Sequence, residues 1–508
     1  MLSRAFARMS GSWFAAALSV ALVGVWPAAS AAEDPLAGLD AAVESARAQW
    51  QAPGLAVAIV KDDKVVFAKG YGVKRLGENS PVDTHTLFTL ASTSKAFVGV
   101  ALGMLVDEGK VRWDDPVIRY LPEFRVADPY VTREVTIRDL LVHRTGIEEM
   151  DILWTRGFDT TTSLKQIQNA RQASSLRSAW AYNNMMYVVA AEVVARVSGK
   201  TFQDFVTQRI FTPLGMKDST FTSALLAQNS NAVGAHLMEQ GKPRSIEPYR
   251  SPNPLGASGV QSSAADMAQW IRMLLNRGSF AGGSILKPET FAETIKPQML
   301  LANIGYPAAV EAKPHFYAYG LGWFVQDYKG RLLAMHTGSL YGANALVAIM
   351  PEEHLGLVIL INAGAVEYRH AFMYDVIDRF LGSRDRDWNA DLFKIAEKLQ
   401  ARENEQRTKA LKARPANAKP SLPLTEYAGS YTNPVAGEVQ VVVKEAGKLA
   451  LVMQPSGNFT LTHWSFDAFE ASDDRAPEER FLITFQRGAD GKVSGYNSAE
   501  NRTYVRAR

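Results

Sequence analysis

Ala91-Ser92-Thr93-Ser94-Lys95-Ala96-Phe97 runs straight into the apolar Val98-Gly99-Val100-Ala101-Leu102-Gly103-Met104-Leu105, and the reading of the whole chain turns on this stretch. A run this apolar fits a helix buried on most sides. Positions three apart share a helix face, so Ser92 and Lys95 point into the same space. An ammonium pressed against such a helix loses hydration, which favours the neutral amine and makes it a candidate base. The hydroxyl at the helix entrance lies near backbone N–H groups without helical partners, donors suited to a developing oxyanion. That is equipment for acyl transfer.

The motif alone is weak, because S-x-x-K arises about once or twice by chance in a chain of this length. A second match, Ser284-Ile285-Leu286-Lys287, sits between Gly282-Gly283 and Pro288 and reads as a loop leading into a new helix. Two other stretches add chemistry. Tyr182-Asn183-Asn184 precedes a strongly apolar helix predicted from Met185 to Val197. A phenol beside an amine can relay a proton, and an amide can accept from lysine and donate to a substrate carbonyl. His336-Thr337-Gly338-Ser339 ends a predicted strand. Glycine there lets a substrate backbone lie close, with the next N–H facing the reaction centre.

Around these motifs the pattern is strands at both ends and helices between. Leu55–Val60 and Val65–Ala68 flank a polar turn and read as a hairpin. Strands are predicted again at Gly320–Val325, Arg331–His336, Ala345–Met350 and Leu355–Ile361, followed by a helix over Tyr368–Leu381. Pro252–Gly259 reads as a loop, and Ser263–Asn276 as a helix with Asp266 in its first turn. The fold class is therefore α/β (α+β): an antiparallel sheet completed by both ends of the domain, flanked by helices, with a helical region inserted. Residues 384–423 read as a charged helix running into a linker. From 424 to 508 short alternating strands predict a small all-β, barrel-like domain.

Composition sets the outer bounds. The chain has 508 residues, a formal charge of +3 and no cysteine. Its length allows two or three domains with a sizeable core. So small a charge, without a basic patch, argues against a nucleic-acid partner. A disulfide framework, a thiol nucleophile and a zinc–thiolate site are excluded. None of the eight histidines sits in H-E-x-x-H or similar spacing, and no metal or organic cofactor is implied. Arg4 and Arg8, the apolar segment Trp13–Trp26 and the small residues Ala29-Ser30-Ala31 mark residues 1–31 as a secretory signal peptide. The mature protein is then expected to be periplasmic, with no membrane span.

Taken together, the three motifs resemble the serine β-lactamase and penicillin-binding-protein superfamily, and nearest to it the class C β-lactamase-related serine hydrolases. S-x-x-K is an established motif of relatives of this group. Leu140-Leu141-Val142-His143-Arg144-Thr145-Gly146-Ile147, Pro213-Leu214-Gly215-Met216 and Gly259-Val260-Gln261-Ser262-Ser263-Ala264-Ala265-Asp266-Met267 fit the same pattern. The resemblance covers residues 36–382, within a domain spanning 32–383, and residues 424–508 resemble the lipocalin-like module often appended to such enzymes. It implies Ser92 as nucleophile and Lys95 and Tyr182 as the proton-handling pair. It also implies an oxyanion hole from the backbone N–H groups of Ser92 and Ser339, with Gly338 beside them. Asn184 and His336 would orient the substrate. The third motif begins with His336 where β-lactamases usually carry lysine, which points to the esterase and peptidase branches. Glu148 and Glu149 are candidate substrate contacts. The expected partner is a small peptide, amide or ester: D-amino-acid-containing, cell-wall or linearised cyclic peptides such as microcystin, with carboxylesters and β-lactams as alternatives. A non-catalytic peptide-binding protein is the rival reading.

Overall fold

Leu55, Val57 and Ile59 pack into one core and Ala56, Ala58 and Val60 into another, all fully buried. A strand buried on both faces must lie inside a sheet covered on both sides. The structure is a computed structural model that describes residues 34–221, 229–239, 241–247, 255–303, 305–364, 366–444, 447–453, 457–478, 480–498 and 502–507. The expected signal peptide and the first part of the Pro252–Gly259 loop lie outside these residues.

The strands β1 (Gly54–Lys61), β2 (Lys64–Gly72), β3 (Met299–Leu300), β4 (Tyr317–Tyr319), β5 (Phe324–Tyr328), β6 (Arg331–Leu340), β7 (Ala343–Met350) and β8 (Leu355–Ile361) form one sheet in the order β2-β1-β8-β7-β6-β5-β4-β3. Leu55 of β1 pairs antiparallel with Ile361 of β8, so the two ends of the domain close the sheet. The strand expected from Gly320 begins only at Phe324. Gly322 has φ 98°, and a Cβ there would lie 2.9 Å from the Lys95 carbonyl, so the chain bends to pass under that residue.

The main helices are α1 (Leu39–Gln49), α2 (Lys95–Asp107), α3 (Asp151–Thr155), α4 (Thr160–Ile167), α5 (Asn184–Ser198), α6 (Ala264–Leu275), α7 (Val366–Phe380) and α8 (Trp388–Ala413). One face of the sheet carries α1, α7 and the start of α8, where Val43, Phe372 and Trp388 meet Val57, Leu346 and Ile359. The other carries α2, α5 and α6, where Phe97, Val189 and Trp270 meet Ala58, Val347 and Leu360. Every residue from Lys95 to Leu105 in α2 is buried, as its unbroken apolar run requires. Phe97 stacks on Trp270 with ring centroids 4.1 Å apart, a pair worth about 0.5–1.5 kcal/mol beyond its burial. Lys95 is therefore an amine carried into the middle of a hydrocarbon core.

The strands β9 (Gly429–Asn433), β10 (Gly437–Lys444), β11 (Lys448–Met453), β12 (Gly457–Ser465), β13 (Ala468–Asp473), β14 (Arg480–Arg487), β15 (Val493–Ser498) and β16 (Thr503–Arg506) form a closed barrel, sealed where Tyr431 pairs with Arg506. The lipocalin-like reading carries over only to the closed eight-stranded barrel. Tyr427, Tyr431, Phe469, Phe485 and Tyr496 fill its interior, which is a packed core and not an open cup. The end of α8 is pinned to it: Arg407 pairs with Glu470, and Arg414 donates to the carbonyls of His463 and Trp464. Residues Pro35–Arg508 form one compact unit.

Candidate active site

Ala91–Ser94 is a 3-10 turn ahead of α2, and Ala91 enters it at φ 48°, a left-handed conformation that a side chain disfavours by about 1–3 kcal/mol. Its neighbours impose it. A Cβ on Gly338 of β6 would lie 2.1 Å from the Leu90 carbonyl and 3.0 Å from the Ala91 methyl, so the turn is pressed directly onto the strand. The expectation that Gly338 makes room for substrate is thereby corrected: it makes room for the turn that carries Ser92. From the other side Leu90 N–H donates to the Val260 carbonyl (3.0 Å), and Val260 N–H to Ser94 Oγ (3.1 Å).

Held this way, Ser92 stays partly exposed while Lys95 is fully buried. The Lys95 Nζ donates to Ser92 Oγ (3.0 Å), Asn184 Oδ1 (2.6 Å) and the Ala257 carbonyl (2.9 Å). Burial lowers its pKa to about 7, against the opposing pull of the Asp151 carboxylate. The Tyr182 ring centroid is 4.8 Å from Nζ. Burial raises the Tyr182 phenol well above its ordinary value, while the neighbouring Ser92 hydroxyl works the other way. At neutral pH the pair thus offers an amine that can lose its proton and a phenol that keeps its own. This arrangement can take a proton from Ser92 and return one to a leaving group.

The residues that hold Tyr182 and Asn184 carry no motif signal of their own. His143, itself at φ 57°, accepts Ala181 N–H on its carbonyl (2.8 Å) and Asn183 N–H on Nδ1 (3.0 Å), with its ring 4.3 Å from that of Tyr182. Burial and the nearby Lys95 charge push the His143 pKa well below its ordinary value, so the ring stays neutral and Nδ1 remains an acceptor. Asn184 Nδ2 donates to both oxygens of Asp151, at 2.9 and 3.0 Å. The sequence gives His143, inside Leu140–Ile147, no chemical role of its own. Nothing near Asp151 in sequence points to Asn184.

His336 is not where a substrate-orienting residue would be. Its ring is 1% exposed; Nδ1 donates to the Thr337 carbonyl (2.6 Å), and Nε2 accepts from the Tyr319 phenol (2.7 Å). Burial, with the Lys95 charge, lowers its pKa to about 3. Both nitrogens are already used inside the protein, and the ring supports the floor from below. Thr337 and Ser339, its neighbours along β6, do reach the cleft. Ser339 Oγ donates to Asn344 Oδ1 (2.9 Å) and accepts from Arg369 Nη1 (2.9 Å), and the same Nη1 holds the Gly338 carbonyl (2.6 Å).

Above Ser92 opens a cleft of about 800 Å³. Ser92, Ser178, Tyr182, Asn184, Asn303, Thr337 and Ser339 contribute polar side chains to it, and Trp180, Leu300, Leu301, Tyr306 and Phe324 much of its apolar wall. No charged side chain lines it among the described residues. Glu148 lies outside it, its Oε1 accepting from Arg171 N–H (2.9 Å), and the Glu149 side chain bonds Asp151 N–H. The second S-x-x-K also lies elsewhere: Ser284 Oγ donates to the Leu286 carbonyl (2.6 Å). Among the described residues no cluster of three or more metal-ligating side chains occurs, and no helix is long and apolar enough to cross a membrane.

Fold and site define a hydrolase of the serine β-lactamase and penicillin-binding-protein type. The chain belongs to the Beta-lactamase family, whose model matches residues 39–377; a second model, a domain of unknown function (DUF3471), matches residues 413–503. It is similar to the unguisins hydrolase ungD' of Aspergillus campestris (strain IBT 28561), 28% identical over 426 residues that cover 79% of this chain and 76% of that one. It is also similar to protein flp of Staphylococcus aureus (strain MW2), 24% identical over 330 residues, covering 64% and 62%. Among solved structures the octameric penicillin-binding protein homologue from Pyrococcus abyssi superposes with a TM-score of 0.59 at 19% identity, covering 92% of this chain and 99% of that one.

Proposed function

We propose that the protein is an exported serine hydrolase that opens amide or ester bonds in small, largely uncharged peptides through an acyl-enzyme on Ser92. The observation that carries this is the buried Lys95 amine, 3.0 Å from Ser92 Oγ and tuned to about 7. In the forward step Ser92 Oγ attacks the carbonyl carbon and its proton passes to neutral Lys95. The backbone N–H groups of Ser92 and Ser339 take the oxyanion. Tyr182 donates its phenolic proton to the departing amine or alcohol and recovers one from the Lys95 ammonium. Water then attacks the acyl ester, giving its proton to Lys95, and Ser92 leaves with a proton restored. Segment 1–31 would direct the chain to the periplasm.

Relatives that bear the name unguisins hydrolase support hydrolysis as the reaction. The uncharged, partly aromatic cleft supports apolar peptide or acyl groups over substrates bound through a carboxylate, and so a peptidase or esterase over an efficient β-lactamase. A fluorophosphonate probe followed by peptide mapping tests the nucleophile. A panel of p-nitrophenyl esters, D-amino-acid amides and nitrocefin tests the substrate class. Expected are an adduct on Ser92, turnover of apolar amides or esters, and the slowest rate on nitrocefin. A folded protein that never acylates would overturn this reading and favour the peptide-binding one.

A further inference from the structure

Asn184 is gripped from both sides, its oxygen by Lys95 and its nitrogen by the Asp151 carboxylate. An amide so placed has one productive orientation, because only its NH2 can face a carboxylate and only its oxygen can face an amine donor. The question is what holds Asp151. It opens α3, a single turn of five residues, and one turn has almost no stability of its own. Met150 and Leu153 on either side of it are buried in the main core, and its further anchors lie in the C-terminal barrel. Arg502 Nη2 donates to the Glu149 carbonyl (2.6 Å), two residues before Asp151. Ile152, the next residue, packs against the barrel core as well as the main core. Arg156, only 8% exposed, donates to the Glu438 carbonyl (2.6 Å) at the start of β10. Further along, Asn169 Nδ2 donates to the Pro434 carbonyl (3.0 Å), and Val435 of the same turn is buried in the main core. Asp151 thus lies between two barrel contacts, with the residue beside it seated on the barrel itself.

We propose that the C-terminal barrel completes the active site by holding Asp151, a positioning residue, against Asn184 and through it the Lys95 amine. The inference rests on the Ser92–Lys95 reading above. Facing Lys95 are Asp151 from α3, the Tyr182 and Tyr187 rings at the entrance to α5, and the rings of His143 and His336. Burial keeps the two phenols protonated and the two histidines neutral, so Asp151 is the charged group among these neighbours. Barrel contacts that act through Asp151 should therefore be visible in the titration of Lys95 as well as in the rate.

The test uses the full chain and the best ester of the panel, with wild-type labelling of Ser92 established first. Asp151→Asn should lower kcat/KM by roughly 10–100-fold and move the acid limb of its pH profile down by about one unit, because an attractive charge beside the amine is gone. Arg502→Met, on the barrel side, should lower kcat/KM three- to tenfold and move the limb in the same direction. In the double variant the Arg502→Met loss should disappear, since both act through one carboxylate. Circular dichroism and melting confirm folding; if Arg502→Met does not fold, Arg156→Met carries the same test. An unlabelled Ser92 overturns the acyl-enzyme reading and this inference with it. A labelled Ser92 with an unmoved limb in Asp151→Asn, or with single losses that simply multiply, overturns this inference alone.

Discussion

Replacing Lys95 by methionine keeps most of the side-chain volume and removes the buried amine, and the consequence for stability follows from linkage. The amine titrates at 10.5 in the unfolded chain and at about 7 in the folded one, burial being the main cause. Between these values the unfolded chain holds a proton that the folded chain has released, so this group makes stability rise with pH. Below about pH 7 both states are protonated and the full cost of burying the ammonium is felt. Above 10.5 both are neutral and the cost vanishes. At about 1.36 kcal/mol per unit, the cost is about 4–5 kcal/mol at pH 6 and about 1–1.5 kcal/mol at pH 9.5. Methionine carries none of it. It does strand Asn184 Oδ1 and the Ala257 carbonyl without their donor, at about 1–3 kcal/mol each, but that loss is the same at both pH values. The difference in unfolding free energy, Lys95→Met minus wild type, should therefore become about 3 kcal/mol more favourable to the variant on going from pH 9.5 to pH 6. Denaturant unfolding of both proteins at pH 6, 7.5 and 9.5, followed by tryptophan fluorescence, measures it, and taking the difference cancels the titrating groups that do not feel the Lys95 charge. A difference independent of pH would refute the depressed pKa and, with it, the case for Lys95 as the base.

Ser92→Ala should abolish fluorophosphonate labelling and turnover while costing at most about 1–2 kcal/mol of stability, and Ser284→Ala should leave both unchanged; residual turnover in the first variant would remove Ser92 as nucleophile. Lys95→Ala and Tyr182→Phe should each slow the reaction by roughly 10²–10⁴, with the double variant losing far less than the product, as steady-state rates on one ester will show. Gly338→Ala should cost about 1–3 kcal/mol in thermal unfolding and most of the activity, since its methyl would sit 2.1 Å from the Leu90 carbonyl; a fully active variant would mean that the Ser92 turn is not clamped. The rate on a carboxylate-bearing ester relative to its neutral counterpart should stay flat from pH 7 to pH 5, because burial holds His336 near 3; a rise centred near 6.5 would place that ring in contact with substrate.

Ser92, Lys95, Tyr182 and Asn184 were legible in the sequence because their chemistry is local: one helical turn links the first pair, and the second pair flanks a helix start. The sheet and α2 were legible for a related reason, as alternation and unbroken apolarity are properties of a few consecutive residues. What escaped depends on elements distant in the chain. A glycine in a strand announces a close approach without saying by what, and at Gly338 the visitor is Leu90. His336 reads as a substrate-orienting residue until Tyr319 and Phe324, on other strands, enclose it. Barrel strands can be read from alternation, but a filled lumen depends on the summed volumes of Tyr427, Tyr431, Phe469, Phe485 and Tyr496. The same division separates chemistry from its tuning. The motifs supply the hydroxyl, amine, phenol and amide, whereas burial by the whole core, the Asp151 charge and the barrel behind it determine when the amine is neutral. It also relocates the search for specificity. With His336 sealed under the floor, exchanging it for lysine cannot present a cation to substrate without breaking that packing. The side chains free to vary are at the rim, where Leu300 is 68% exposed beside Leu301 and faces the cleft from the edge strand β3. Exchanges there alter which acyl group is held and leave Ser92, Lys95 and Tyr182 as they are.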